Sequence, residues 1–263
     1  MGDFHSGGLT ALFPGYNMTF KLDDKNSLPY QPSALQKSMY KHFMTSAKKV
    51  KEAKGKQKVI VINGDAIDGN HHGTAQLVTP NPKHHVEIHI ELMENFLEAC
   101  EFSVKNGDQL YYVSGTESHV GWEEYSIVNH FEPYGAKYHD ELRLTVNGRR
   151  LWWTHQGAKP GKGANEGNAV RNFARDLYFD CLKESQLAPH LISMSHFHKY
   201  NYDSFNDSHR HTIHAQVLPS WQAKTRFGLR ASPFQRNDIG LIFNEVTAEG
   251  DIRFPAPFLW KEK

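Results

Sequence analysis

The sequence has little cysteine, almost no net charge and no long apolar run, and each shortage excludes a class of protein. Its 2 cysteines, Cys100 and Cys181, lie on apolar faces of predicted helices, so we expect buried free thiols and a reducing, cytoplasmic compartment. Lys and Arg number 30 against 29 Asp and Glu, so no global field attracts nucleic acid or an anionic membrane. No apolar segment approaches a membrane span and no charged-then-apolar leader precedes the first motif, so neither a membrane partner nor secretion is expected.

The length and the hydrophobic pattern predict one layered α/β domain over residues 1–263. Helical spacing of apolar residues occurs in 33–54, from the cap-and-proline pair Asn81-Pro82 to about residue 104, and in 169–182. Hairpins are predicted around Asn147-Gly148 and between 239–246 and 251–254. Strands dominate the second half of the chain, which favours a mixed sheet or two sheets that face each other.

Four predicted strands end in residues that can bind a metal ion. They are the short apolar runs 59–62, 110–113, 151–154 and 191–194, which are typical of strands covered on both faces. In open α/β sheets, ligands gather outside the carboxyl ends of the strands. Asp or His follows each strand at the same relative place, so the sequence predicts one shared site.

The residue types at these positions indicate a mixed oxygen and nitrogen metal centre. Hard divalent cations prefer carboxylates, whereas imidazole suits borderline metals such as Zn, Fe, Mn or Ni. Asp-x-His and His-x-His pairs bring two ligands to one side of an extended segment, because alternate residues project the same way. The candidates are Asp3, His5, Asp65, His155, His196, His198 and one residue within 116–119.

The ordered succession of these motifs resembles that of calcineurin-like metallophosphoesterases. The resemblance spans residues 3–198 and is carried by Gly2-Asp3-Phe4-His5, Gly64-Asp65-Ala66-Ile67-Asp68-Gly69, Gly115-Thr116-Glu117-Ser118-His119, His155 and His196-Phe197-His198. It implies a four-layer α/β/β/α sandwich with mixed β-sheets and two metal ions at the carboxyl end of the sheet. It also implies hydrolysis of phosphate monoesters or diesters.

The resemblance assigns ligands by motif. Asp3, His5 and His198 would hold one metal, His155 and His196 the other, and Asp65 would bridge them. Manganese is the expected metal, with iron, zinc or nickel as alternatives. A hydroxide held between the metals would attack the phosphate, His119 would protonate the leaving group, and Asp68 would orient His119.

The chain departs from the family pattern after Gly115. The family has an asparagine ligand directly after this glycine and then a catalytic histidine, whereas this chain has Thr116 and Glu117, with the histidine at His119. Glu117, His119 or Thr116 could supply the missing ligand. We expect His119 to act as the catalytic or ligand residue and place Glu117 second.

A second departure concerns the start of the sequence. Only Met1 and Gly2 precede Asp3, where the family has a full strand. Because chain ends fray, Asp3 and His5 are expected to be held loosely, or the recorded start to lie downstream of the true one.

Several further residues are candidates for substrate contact. His71 and His72 follow the bridging aspartate and could reach a substrate phosphate, with packed or surface histidines as the alternative. The glycine-rich segment 157–167 is either a flexible loop or a lid whose Lys159 or Lys162 meets a substrate phosphate. Trp221, Arg226, Phe227 and Arg230 could stack on bases and meet phosphates, although packing explains them equally well. His84, His85 and His89 are interpreted as structural or surface residues at a helix start.

These patterns favour a metal-dependent phosphoric ester hydrolase, a phosphodiesterase or nuclease that acts on nucleotides or nucleic acid. A phosphomonoesterase, including a protein phosphatase, is the alternative within the class. A binding module with a degraded metal site is the alternative outside it.

Overall fold

The computed structural model describes residues 1–53, 57–70, 76–161, 163–207, 211–231 and 237–261. Its helices are α1 (Ala34–Glu52), α2 (Pro82–Ala99), α3 (Glu117–Val120), α4 (Glu123–His130), α5 (Asn168–Lys183) and α6 (Arg226–Ala231). Its first strands are β1 (Met18–Lys21), β2 (Ser27–Tyr30), β3 (Val59–Asn63), β4 (Gln109–Val113), β5 (Lys137–His139), β6 (Leu142–Val146) and β7 (Arg149–Thr154). The later strands are β8 (Leu191–Met194), β9 (Asn201–Asn206), β10 (Thr212–Val217), β11 (Gly240–Leu241), β12 (Glu245–Val246), β13 (Ile252–Arg253) and β14 (Phe258–Leu259).

The first sheet consists of the parallel strands β3, β4 and β5, and residues 1–6 run beside the end of β3. The backbone N–H of Asp3 donates to the Gly64 carbonyl at 3.2 Å, and that of His5 donates to the Asp65 carbonyl at 2.9 Å. Ser6 completes a parallel bridge with Ile67. The expectation that Asp3 and His5 are loosely held is therefore wrong, because sheet-like hydrogen bonds fix both residues.

The second sheet has five strands in the order β6-β7-β8-β10-β9. The central strands β7, β8 and β10 are parallel, and the edge strands β6 and β9 pair antiparallel to their neighbours. The predicted hairpin at Asn147-Gly148 joins β6 to β7, and both turn residues have positive φ, 46° and 76°. Parallel pairing of β7 with β8 brings their carboxyl ends to one edge.

Side chains alternate between two environments along the strands of the first sheet. Ile60, Ile62, Leu110 and Tyr112 join a core cluster with apolar residues of α1, α2 and α4. Val61, Tyr111 and Val113 pack instead with Leu142, Leu144 and Trp153 of the second sheet. A third cluster joins β8 and β10 to α5 through residues such as Ile192, Ala215 and Val170. This arrangement confirms the expectation of an α/β fold with mixed sheets.

Local signals account for most of the helix boundaries. Ser33 and Gln36 form a reciprocal capping box at the start of α1. Asn81 caps α2 with Pro82 at its first position, as the sequence predicted. Cys100 and Cys181 are buried free thiols, which confirms that prediction.

The C-terminal hairpin is shorter than expected. Only β12 and β13 pair around the predicted turn, whereas β11 pairs with β14. In the parts of the chain that the structure describes, no helix combines the length and apolarity needed to cross a bilayer.

Candidate metal centre

Buried acidic and histidine side chains converge where β3, β4, β7 and β8 end. Asn63, the last residue of β3, ties the two sheets together at this point. Its side-chain amide donates to the Thr154 carbonyl at 2.9 Å and to Ser195 Oγ at 2.8 Å. Its own carbonyl lies 3.0 Å from His155 Nδ1, which fixes that imidazole and leaves Nε2 directed elsewhere.

Three overlapping groups of side chains place their ligand atoms within 4.8 Å of one another. They are Asp3 with His5 and His198, Asp65 with His155 and His196, and His5 with Asp65 and His119. Each group combines a carboxylate with imidazoles, a donor set that suits Mn, Fe, Zn or Ni. The residues therefore fit two adjacent metal ions, and the first two groups match the division that the resemblance implies.

Asp65 belongs to the group of His155 and His196 and also faces the group of Asp3, His5 and His198. Its Oδ2 atom is 3.7 Å from His5 Nε2 and 3.2 Å from His155 Nε2. On the other side of the cluster, His5 Nε2 and His198 Nε2 are only 3.0 Å apart. Oδ2 of Asp65 therefore faces donor atoms of both groups, and this carboxylate is the residue that two bound ions would share.

The backbone at the cluster is strained. Of the eight non-glycine residues with positive φ in the described segments, five belong to it: Asp3 (50°), His5 (47°), Asp65 (47°), His196 (73°) and His198 (53°). Each such conformation is costly for a residue with a Cβ atom, and such residues concentrate at functional sites. The strain supports a functional rather than a packing role.

Glycines allow the strand-end loops to approach each other closely. A Cβ atom on Gly64 would lie 2.1 Å from His155 Nδ1, and one on Gly115 would lie 2.3 Å from the backbone nitrogen of Asp65. Both distances are far below van der Waals contact. Any larger residue at either position would push the ligand loops apart.

The electrostatics of the cluster favour a bound cation. Burial, together with the nearby Asp65 charge, raises the pKa of Asp3 to about 7. Burial would also raise the pKa of Asp65, but hydrogen bonding to His155 and the nearby imidazoles lower it overall. Burial opposes protonation of His155, yet Asp65 raises its pKa to about 9. Divalent cations would stabilise the buried carboxylates in place of these protons.

The loop after β4 brings Thr116, not Glu117, to the second ligand group. The Thr116 hydroxyl lies 3.1 Å from His155 Nε2 and 3.4 Å from His196 Nδ1. Its backbone N–H donates to Asp65 Oδ1 at 2.6 Å. Glu117 begins α3 with an exposed side chain and belongs to none of the three groups, so the structure does not support it as a ligand.

His119 lies beside Asp68, as expected, but its shorter contact is with the backbone carbonyl of Asp68 rather than with the carboxylate. His119 Nδ1 is 3.0 Å from the Asp68 carbonyl oxygen and 3.7 Å from the Asp68 carboxylate. The same carboxylate oxygen lies 3.1 Å from His5 Nδ1. His119 also packs edge-on against His5, with ring centroids 4.8 Å apart.

Other candidates have different outcomes. His71, His72 and Lys162 lie outside the described residues. Trp221 is fully buried against Phe4 and Phe43, so the suggestion that it stacks on bases is wrong. His84, His85 and His89 are buried in the core, as their structural interpretation anticipated.

Glu124 is a site residue that the sequence interpretation missed. Its carboxylate is fully buried and accepts hydrogen bonds from the backbone N–H groups of Ala66 (3.4 Å) and Gly115 (3.3 Å) and from the Tyr138 hydroxyl (3.0 Å). It therefore joins the loop that carries Asp65 to the loop that carries Thr116. Burial raises its pKa to about 7. An acidic residue on the same helical face as the buried Ile127 was the signal in the sequence.

Comparisons with known proteins add little. No protein-family model matches the chain, and no curated protein matches it significantly. A Thermotoga maritima protein solved by NMR in solution aligns with 79% of this chain and 100% of its own, at 12% identity and a TM-score of 0.32. This likeness is too low to establish a common fold.

Proposed function

We propose that this protein is a dinuclear metal-dependent phosphodiesterase of the calcineurin-like class, acting on nucleotides or nucleic acid as a nuclease-type hydrolase. The proposal rests on the two neighbouring ligand groups and on Asp65, which faces both of them. The chain order of the ligands, the strained backbone and the close approach of the loops at Gly64 and Gly115 support the same reading.

The proposed fold is a four-layer α/β/β/α sandwich. Three separate core clusters support it: one between α1, α2, α4 and the first sheet, one between the two sheets, and one between the second sheet and α5. This layering places the carboxyl ends of β3, β4, β7 and β8 side by side.

The ligand groups divide between two ions, preferably manganese. Asp3, His5 and His198 would hold one ion, His155 and His196 the other, and Asp65 both. The Thr116 hydroxyl would complete the second set, a place where the resembling family has an asparagine oxygen. Two divalent ions, when bound there, would lower the pKa of a water molecule and polarise the phosphate.

His119 is the proposed proton donor to the leaving alkoxide. Its Nδ1–H donates to the Asp68 carbonyl oxygen at 3.0 Å, which orients the imidazole ring. The Asp68 carboxylate lies 3.7 Å from the same nitrogen and is the second contact that positions the ring.

The test measures metal content and hydrolysis on the same sample. Protein purified without chelator should hold two metal ions per chain and hydrolyse bis-p-nitrophenyl phosphate faster than p-nitrophenyl phosphate when Mn²⁺ is supplied. Asp65→Asn should lose metal and activity together, while Asn129→Asp, at an exposed residue of α4, should lose neither. Faster monoester hydrolysis would favour a phosphomonoesterase. One ion or none, without turnover, would refute the enzyme and leave the binding module.

A further inference from the structure

A row of aromatic side chains lies on the surface next to the helix that carries His119. Trp122 is 83% exposed, the highest value among the large hydrophobic residues in the described segments, and Tyr125 is 45% exposed. The ring centroids of Trp122 and Tyr125 are 5.8 Å apart, and those of Tyr125 and Tyr138 are 4.6 Å apart. We call Trp122, Tyr125 and Tyr138 the aromatic row.

The aromatic row is close to the candidate metal centre. Trp122 follows His119 by three residues, which cannot span more than about 11 Å even when extended. That length corresponds to about three nucleotides of a stacked strand. Tyr138 lies in β5, next to the strand whose end carries Thr116. The row and the ligand cluster therefore border the same edge of the first sheet.

The row is supported by buried structure beneath it. The Tyr138 hydroxyl donates to the buried carboxylate of Glu124, which also holds the loops of Ala66 and Gly115. Tyr125 packs on Tyr138, and Trp122 packs on Tyr125. The Tyr138 ring is thus tied to the loops that carry metal ligands, and the other two rings extend outward from it. Trp221, by contrast, is fully buried in the core, where packing explains it.

The chemistry of the surface selects a flat, uncharged ligand. Exposed Trp and Tyr rings bind planar groups by stacking, and nucleobases are the planar groups attached to phosphodiesters. Glu117 is exposed and Glu123 is half-buried beside Trp122. Their carboxylates disfavour phosphate at this surface, whereas carboxylates accept hydrogen bonds from base amino groups.

We propose that Trp122 and Tyr125 form a stacking platform for a nucleobase of the substrate, within about three nucleotides of the phosphate that is cleaved. The inference rests on the proposed function and narrows its substrate class to single-stranded nucleic acid or short oligonucleotides. The platform contributes to substrate binding and not to the chemical step.

The experiment compares two oligonucleotides on the Mn²⁺-loaded protein: a single strand with all its bases, and an abasic strand of equal length. Trp122→Ala should raise KM for the base-bearing strand roughly tenfold, at the low end of the loss of one stacked base, with kcat within about twofold. KM for the abasic strand should not change. Trp122→Phe keeps a stacking ring, so its KM for the base-bearing strand should stay within about threefold of that of the unaltered protein. Equal effects on both strands, or none on either, would overturn the platform.

Equilibrium binding separates failure of the platform from failure of the proposed function. Fluorescence anisotropy with labelled versions of both strands needs no turnover. If the unaltered protein cleaves no phosphodiester, the enzyme proposal fails. Weaker binding of Trp122→Ala to the base-bearing strand alone would still support the platform, whereas no binding of either strand would refute it as well. Because Trp122 is exposed, circular dichroism and metal content should be unchanged.

Discussion

The hydroxyl oxygen of Thr116 lies 3.1 Å from Nε2 of His155. The same oxygen is 3.4 Å from His196 Nδ1 and 3.4 Å from Asp65 Oδ2, so it touches every member of the second ligand group. A hydroxyl is a weaker metal ligand than a carboxylate or an imidazole. It is nevertheless placed where a neutral oxygen ligand would complete the set.

Thr116→Val should therefore weaken one of the two metal sites. Valine keeps the shape of the side chain and the backbone N–H bond to Asp65 but removes the oxygen. In calorimetric titration we expect about tenfold lower affinity for the Mn²⁺ ion of the second ligand group. This decrease is in the range measured when a residue that supports a metal ligand is removed. Thr116→Ser, the matched control, should bind as tightly as the unaltered protein. Full affinity in the valine variant would exclude Thr116 and return Glu117 to consideration.

His119→Ala should lower the rate without removing metal. General acid catalysis contributes about 10² to 10⁴ in rate, and the loss grows as the leaving group becomes more basic. We expect a larger fall in kcat for a dinucleotide, whose leaving group is a basic nucleoside alkoxide, than for bis-p-nitrophenyl phosphate, whose leaving group is a weakly basic nitrophenolate. Metal content should stay at two ions per chain. Parallel loss of metal and rate would instead make His119 a ligand, as its group with His5 and Asp65 allows.

The sequence predicted the ligand cluster better than its surroundings, for a physical reason. Asp65 and His196 follow buried strands and His155 follows a half-buried one, and strand ends meet at one edge whatever the details of the loops. Contacts that depend on loop geometry produce no periodic pattern of residues in the sequence. The Thr116 hydroxyl and the Glu124 carboxylate act through such contacts, so the sequence left Thr116 as one of three alternatives and gave only a weak signal for Glu124.

Trp221 shows the opposite failure. Its neighbouring arginines suggested a surface for bases, but the chain after β10 turns inward and buries the indole against Phe43. Exposure of an aromatic residue depends on what packs over it, which short-range sequence does not encode. The exposed tryptophan is Trp122, in a segment with little hydrophobic pattern.

Glu124→Gln should weaken metal binding from a distance. Three donors, from Ala66, Gly115 and Tyr138, point at its two carboxylate oxygens, and a glutamine offers only one oxygen. One donor would then face an NH₂ group, which costs about 1–3 kcal/mol when buried. Measured at pH 8, above the pKa of about 7, the variant should bind Mn²⁺ more weakly, because the ionised carboxylate that holds both ligand loops is lost.

Two controls locate this effect at the carboxylate. Glu123→Gln changes the neighbouring, less buried glutamate and should alter neither stability nor metal affinity. Tyr138→Phe removes only one of the three donors and should show a smaller loss. If Glu124→Gln behaved like Glu123→Gln, the connection between the two ligand loops would be unimportant.

His89 should make the protein sensitive to acid. It is fully buried between the Ser6 and Tyr112 hydroxyls, 3.3 Å from each, and packs edge-on against Phe4. Burial lowers its pKa from 6.5 to about 3, so the folded protein keeps the ring neutral while the unfolded chain takes up a proton below pH 6.5. The free energy of unfolding should therefore fall as pH drops from 6.5 toward 3.

One such proton corresponds to a slope of about 1.4 kcal/mol per pH unit within that window. Urea unfolding from pH 7 to pH 4.5, with chelator present throughout to remove linkage to metal, measures the slope. His89→Gln should reduce it by about one proton, because glutamine can still meet both hydroxyls but does not titrate. Asn129→Gln alters an exposed residue that does not titrate and should leave the slope unchanged. An unaltered slope in His89→Gln would mean that His89 takes up its proton in the folded protein as readily as in the unfolded chain. Another group would then cause the loss of stability in acid.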